Sequence, residues 1–504
     1  MVRRTPLSTR PSALALVEGG GLVIFVALLA LMIVRPAEDT LVPISVEALA
    51  AGETTEEWLG IYFEGQKVGY AVNTRVATVD GGTLVQNHSA FTVAAFGKIN
   101  NIVSAGTAVL DSDGVLQVFD AFLEADPVSL NARGEVRGGS LVISLLQGGE
   151  HSELVLDLDE PPQIAATMNT WIAAQEEIKV GQTYEVPYFS PTTLAQDTMT
   201  LKVVDTEVLP TGEEAHWIER SVAGVTTRAL LTPAGDLLRE EGGFGTALVR
   251  QTREEALAMP EGHDAVDIIS LSSVKLEGQL YRPRGLNKVS LQILGVEPER
   301  IRHEPPLQTV QGDVVVVTSP ELGRRASVPR QADPEQFAEY LQGTPFMPVD
   351  HREIQEAAQD LVGDFSDRLL AVTKLNTWVY ETLVKTPVMG VPNALEVLRI
   401  RQGDCNEHTA LMVALSRAAG IPARIAAGVV FSDRVTDTGA FYYHAWPEIW
   451  MGDELGWIPV DPTFGQVPAD ATHVKIVEGD LDRQIEIMGV MGRLGFKLIA
   501  AEAP

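Results

Sequence analysis

The chain has 504 residues, of which 45% are hydrophobic, 21% are charged and one, Cys405, is a cysteine. That composition excludes a disordered chain, a collagen-like repeat and a polytopic membrane protein, and a single cysteine excludes an internal disulfide and any CxxC metal or redox site. Thirty-eight basic against 68 acidic residues give a net charge of −30, which repels phosphate backbones and makes nucleic acid an unexpected partner.

At the amino terminus, Arg3, Arg4 and Arg10 precede an uninterrupted apolar run from Leu22 to Val34. Counted back to Ala13 the segment has 22 residues, enough to cross a hydrocarbon core of about 30 Å, at the cost of Glu18 and three glycines. A cleaved signal peptide is the alternative, but the nearest small-x-small site, Ala48-Leu49-Ala50, lies far past Val34. The expectation is therefore a cytoplasmic N-terminus and transmembrane anchor over 1–35. The arginine bias places the bulk of the chain outside the cytoplasm, in the periplasm, as a single-pass membrane protein.

Residues 36–54 read as a linker. Partial alternation and glycine turns predict a β-rich domain over 55–160, a second over 161–258 and a β-rich connecting segment over 259–332, all with antiparallel pairing. Leu110-Asp111-Ser112-Asp113-Gly114-Val115-Leu116 echoes Leu231-Thr232-Pro233-Ala234-Gly235-Asp236-Leu237, both strand, glycine turn, strand, which hints at duplication. No catalytic signature falls in this half. From 333 the pattern turns helical. Asp333-Pro334 and Asp350 with Glu353 read as helix starts, Ile354, Ala357, Ala358, Leu361 and Val362 form an apolar face, Ser366 opens another helix, and Asn393 a short one. A helix from Cys405 to Ala419 is followed by strands over 423–431, 441–450 and 455–460. Helices followed by an antiparallel sheet make 333–480 an α+β domain, with a C-terminal segment over 481–504.

Cys405 falls at a helix start, where unpaired N–H groups and the helix dipole favour a thiolate. His444 follows 39 residues on, in an aromatic strand, and Asp461 closes the next strand 17 residues later. On adjacent antiparallel strands the two could be cross-strand neighbours, with the carboxylate fixing the imidazole tautomer. His408, three residues past Cys405, is the rival base, but it shares the nucleophile's helix and has no evident orienting acid. Taken singly, each of the three has a bland reading: a small buried thiol, a packed core histidine, an Asp-Pro turn. Trp446, Trp450 and Trp457 are expected to pack in the core. No HExxH, phosphate loop or GxSxG elbow is present, and neither cofactor nor metal is called for.

Together Gly403-Asp404-Cys405, Arg417 to Arg424, His444-Ala445-Trp446 and Trp457 to Thr463 resemble the transglutaminase-like superfamily, in particular its bacterial cysteine protease and amidase branch. The resemblance covers residues 345–475. It implies an elaborated papain-like α+β fold with Cys405 as nucleophile, His444 as base and Asp461 as orienting acid. The function it implies is a thiol hydrolase cleaving peptide or amide bonds of a protein or peptide substrate through a Cys thioester. A cross-linking acyltransferase and a membrane scaffold with a vestigial triad are the alternatives.

Overall fold

The structure is a computed structural model. It describes residues 50–503 except 96–97, 126–127, 148–149, 159–161, 176–177, 191–194, 223, 261–264, 268–272, 324–326, 387–391, 434–438 and 480–484. The expected membrane anchor lies outside the described residues. Among those described, no helix is long and apolar enough to cross a membrane.

The first half is a meander of β1 (Ala50–Phe63), β2 (Gln66–Thr78), β3 (Thr83–Ala95), β4 (Lys98–Leu110), β5 (Leu116–Ala125), β6 (Val128–Arg137), β7 (Ser140–Gln147) and β8 (Glu150–Asp157). A second meander runs through β9 (Thr183–Ser190), β10 (Ala195–Val208), β11 (Glu214–Val222), β12 (Val225–Leu231), β13 (Leu237–Glu241) and β14 (Thr246–Gln251). Where the sequence suggests two β domains, all fourteen strands lie in one antiparallel sheet, joined by β1 pairing with β14 from Trp58↔Gln251 to Phe63↔Thr246. Its outer strands approach each other through Gln163, which follows β8 and exchanges backbone hydrogen bonds with Pro187 and Phe189 of β9. Helix α1 (Ala165–Ala173) buries Met168 and Ile172 against Leu59, Leu201 and Ile218 of this sheet. The echoed segments form the same turn: Gly114 and Gly235 have φ of 77° and 83°, and each N–H reaches back three residues, to Asp111 and Thr232. A left-handed conformation recurring at one position explains the shared glycine.

After the short helix α2 (Arg253–Leu257), β15 (Lys275–Glu277), β16 (Lys288–Leu294), β17 (Gln308–Gln311) and β18 (Val314–Thr318) build a five-stranded sheet. Period-two burial of Val289, Leu291 and Ile293 sets its inward face. Its fifth member comes from the far end of the chain: residues 495–502 insert between β15 and β16.

The α+β domain carries α3 (Ala338–Leu341), α4 (Arg352–Val362), α5 (Arg368–Thr382), β19 (Val384–Lys385), α6 (Ala394–Ile400), β20 (Gln402–Gly403) and α7 (Cys405–Ala418). A four-stranded sheet follows in the order β23 (Trp457–Pro459), β22 (Ala440–Trp450), β21 (Ala423–Ser432), β24 (His473–Glu478), and β25 (Gly495–Glu502) returns to the five-stranded sheet. The caps differ slightly from expectation. His351, not Asp350, caps α4 through Nδ1 to the Glu353 N–H, and Asp367, not Ser366, caps α5. Asp333 caps only a turn, its carboxylate accepting from the Glu335 N–H, before α3 begins at Ala338.

Helix α7 is buried from Cys405 to Arg417, so it is the centre of the helical layer rather than a surface element. Its core includes Ile354, Leu375 and Leu411 from the helices and Ala445 and Ile449 from β22. A separate core joins Phe441 of β22 to Phe496 of β25 and to Phe119 and Ile143 of the large sheet. Every residue of β21 is buried, as are the first ten of β22, because both faces of the sheet are covered.

Candidate active site

The sheet edge explains how the site is assembled. Strand β23 is only three residues long and pairs with β22 from Glu448 to Trp450, so among the described residues no strand flanks His444 and Ala445 on the side of β22 away from β21. The start of α7 occupies that edge. Thr409 Oγ1 donates to the Ala445 carbonyl at 3.0 Å, and the Ala445 N–H faces the Cys405 sulfur. Backbone groups that a longer β23 would have used thus hold the helix start beside His444.

His444 Nε2 lies 2.9 Å from Asp461 Oδ2, and both side chains are fully buried. Asp461 is not a cross-strand neighbour of His444. It lies two residues past β23 in a turn, where Oδ1 accepts from the Thr463 and Phe464 N–H groups at 2.6 and 3.0 Å. These donors and the histidines fix the carboxylate's orientation. Because Nε2 must donate to Asp461, the proton of neutral His444 is on Nε2 and Nδ1 carries the free lone pair. Nδ1 is buried and makes no hydrogen bond, either to Cys405 or to any other group. Phe464 stacks on one side of the imidazole at 5.1 Å and 14°, and Trp446 lies 6.1 Å away at 23°.

The electrostatics differ from the sequence expectation at Cys405. Instead of a helix start lowering its pKa, burial and then the Asp404 carboxylate push the thiol well above its usual value, against the Ala445 N–H, which lowers it. Burial could not be read from the helix position alone. Asp404 caps α7 and Glu407 completes a capping box, both inside the protein. Burial and the adjacent Asp404 carboxylate raise the pKa of Glu407 well above its usual value. Burial lowers His444, opposed by Asp461. The resting pair is therefore neutral thiol and neutral imidazole. Burial also acts to raise Asp461, but His444 and His473 outweigh it and hold the carboxyl well below its usual value.

His408 takes a different role from that of a base facing the thiol. Its Nδ1 lies 2.6 Å from the Asp404 carbonyl, and burial and then Lys385 bring its pKa down to about 3. His473, which no sequence motif singles out, is the missed residue: its Nε2 sits 3.0 Å from the same Asp461 Oδ2. The sequence signal was its place in Asp470-Ala471-Thr472-His473, a short polar turn soon after the Asp461 motif. Gln466 joins the same group, its Nε2 donating to Asp470 at 2.8 Å while its backbone pairs with that of Asp461.

Among the described residues, two groups bring atoms of metal-ligand type together: His444, Asp461 and His473, where both imidazole Nε2 atoms are already hydrogen-bonded to Asp461 Oδ2, and separately Glu304, Glu448 and Glu478. In the second, Lys475 Nζ already lies 2.7 Å from Glu448 and 2.9 Å from Glu478, with Arg424 beside both, so internal cations fill the position.

Residues 355–462 match the family model described as the transglutaminase-like superfamily. The C-terminal domain is transglutaminase-like. The chain is also 36% identical over 92 residues to a protein-glutamine gamma-glutamyltransferase of Pseudomonas aeruginosa, an overlap of 17% of this chain and 14% of that relative. Among solved structures it is similar to a β-barrel-like protein of a domain of unknown function from Brucella abortus, at 11% identity over 40% of this chain and 96% of that one, TM-score 0.32. Another similar structure bears the name "putative cysteine protease", from Cytophaga hutchinsonii, at 17% identity over 43% of this chain and 87% of that one, TM-score 0.28. The transglutaminase-like match takes in the whole of α7, β21, β22 and β23 and ends one residue past Asp461. His473 lies outside it.

Proposed function

We propose that the chain is a thiol hydrolase of the transglutaminase-like type, working by acyl transfer through Cys405 with His444 as base and Asp461 as orienting acid. The observation that carries this reading is the unpartnered, buried Nδ1 of a histidine whose Nε2 is committed to a buried aspartate, set beside a cysteine at a helix start. A buried nitrogen lone pair without a donor is costly unless a donor arrives during the reaction. The Cys405 S–H is that donor.

In the reaction, His444 Nδ1 takes the thiol proton as the sulfur attacks the acyl carbon. The His444 imidazolium then gives that proton to the leaving amine nitrogen, and the C–N bond breaks to leave a thioester. Water adds next, losing its proton to Nδ1, and the C–S bond breaks, returning the proton to sulfur. An amine in place of water gives cross-linking, the second reading, which the gamma-glutamyltransferase similarity favours. Since Cys405, His444 and Asp461 are almost wholly inaccessible, the site opens before substrate enters. Tyr380 of α5 packs over Gly465, beside the Phe464 that stacks on His444, and this contact is the one to separate.

The reading extends to the compartment: a single N-terminal anchor over 1–35 holds the hydrolase on the periplasmic face, acting on protein or peptide substrates. Support for the anchor is the arginine-flanked apolar run. The test is incubation of the chain, in detergent, with a fluorogenic peptide library and with a glutamine peptide plus a dye-labelled amine. Turnover that disappears in Cys405→Ala and His444→Ala is expected, and water or amine as acceptor is read directly. Equal signals from wild type and Cys405→Ala would remove the enzyme reading and leave the scaffold.

A further inference from the structure

Asp461 Oδ2 receives two imidazoles, and the second is in an unusual position. His473 Nε2 faces Asp461 at 3.0 Å, while Nδ1 faces the Asp470 carbonyl at 3.0 Å and the Asp470 carboxylate at 3.5 Å. Both ring nitrogens thus face acceptors, and a neutral imidazole has only one N–H. Satisfying both requires the imidazolium.

The rest of the environment is built for that charge. Asp470 is itself held by Thr472, by Gln466 and by Arg284, whose Nη1 lies 3.1 Å from Oδ2. Trp446 and Phe464 meet the His473 ring edge-on at 5.2 and 6.1 Å, and His444 lies 5.8 Å from it. The His473 side chain is 2% exposed, so water does not screen it. The charged and titratable groups facing it are therefore Asp461, Asp470 and His444, with Arg284 behind Asp470.

We propose that His473 is a positioning residue, a permanent buried cation behind Asp461 that neutralises the carboxylate in the resting site and thereby keeps His444 an uncharged base. The inference rests on the triad reading of Cys405, His444 and Asp461. An aspartate with no second partner would stabilise the His444 imidazolium strongly and favour a standing thiolate–imidazolium pair. With His473 sharing Oδ2, the pair forms only when substrate arrives. The other charge effects run the same way: burial opposes the His473 charge, but its bonds to Asp461 and Asp470 raise it to about 9, whereas His444 is lowered.

The experiment is a histidine-selective NMR titration of the chain as wild type, His473→Gln and His473→Ala, with Cys405 alkylation followed over the same pH range. Gln keeps a side-chain N–H for Asp461 and removes the charge. In wild type, His473 should be doubly protonated at pH 7 and His444 a neutral Nε2–H tautomer. In His473→Gln the fold and the Asp461 bond should persist, while the His444 pKa and the acid limb of the alkylation profile move by about one pH unit. A His473 found neutral at pH 7, or a His473→Gln variant with His444 titrating as in wild type, overturns the proposal. A merely structural role would be rescued fully by Gln and leave both titrations unmoved. Turnover measured alongside separates the two readings. A His444 shift without Cys405-dependent turnover removes the hydrolase and keeps the cation, and turnover without the shift does the reverse.

Discussion

The four-stranded sheet carries two buried charged clusters, and their difference is instructive. Along β22, His444 and Glu448 are four residues apart and so share a face, and along β24 His473 and Lys475 are two apart. At one end, Glu304, Glu448 and Glu478 surround Lys475 and Arg424, with each carboxylate within 3.0 Å of a cation. At the other, His444, Asp461, His473 and Asp470 form a chain of hydrogen bonds that ends in an imidazole nitrogen with no partner. Both clusters hold buried charged groups, so burial and charge alone do not distinguish them. In the first every carboxylate lies against a cation, whereas the second leaves a basic nitrogen, His444 Nδ1, without a partner.

The comparison breaks most sharply at Asp461. Asp461→Asn should lower kcat/KM for a cleaved peptide by about 10⁴-fold, because an amide cannot hold the His444 tautomer and offset its charge as a carboxylate does. A loss under tenfold would place the orienting role elsewhere. Next comes the other cluster. Lys475→Ala leaves the buried Glu448 and the half-buried Glu304 to Arg424, with Glu478 held by Arg424 and Arg302, and should cost about 3 kcal/mol in denaturant unfolding, with activity per folded molecule unchanged. If activity falls while stability holds, the two clusters are one site.

The pH dependence of stability sharpens the contrast further. The folded pKa of His473 is raised from 6.5 to about 9, so its contribution is fully present below about pH 6.5 and is lost as pH climbs through 9. That contribution is about 3 kcal/mol, and unfolding midpoints measured between pH 6 and 10 should fall accordingly in wild type but not in His473→Gln. The smallest effect belongs to a charged pair outside both clusters. Arg352 and Glu356 meet at 3.0 Å on the surface of α4, and Arg352→Ala should shift stability by less than about 0.5 kcal/mol in the same assay.

Much of the domain's architecture was legible because local chemistry dictates it. Asn393 caps α6, Asp404 caps α7, and the aromatic strand from 440 to 450 is where alternation and β-propensity put it. His444 and Asp461, named from motifs 17 residues apart, meet at 2.9 Å. What was not legible depends on contacts between distant segments. The joining of two β meanders rests on β1 finding β14 across nearly 200 residues, and no local pattern encodes that partner. The direction of the Cys405 shift depends on how deeply α7 is packed, which outweighs the helix dipole that the sequence does reveal. His473 escaped notice because its role comes from a turn that folds back on Asp461, a relation that no spacing rule expresses.

Strand β25 has a consequence for the order of events in synthesis. It sits between β15 and β16, whose residues leave the ribosome some 200 positions earlier, and its Phe496 packs edge-on against Phe441 of β22 at 5.0 Å. Until residue 496 emerges, the five-stranded sheet is split and the layer beneath β22 lacks a wall. Pairings of such long sequence separation form late. The strand that carries His444 therefore gains its full support only after Phe496 has been made, about 50 positions later, so the site is assembled after its own residues have been synthesised.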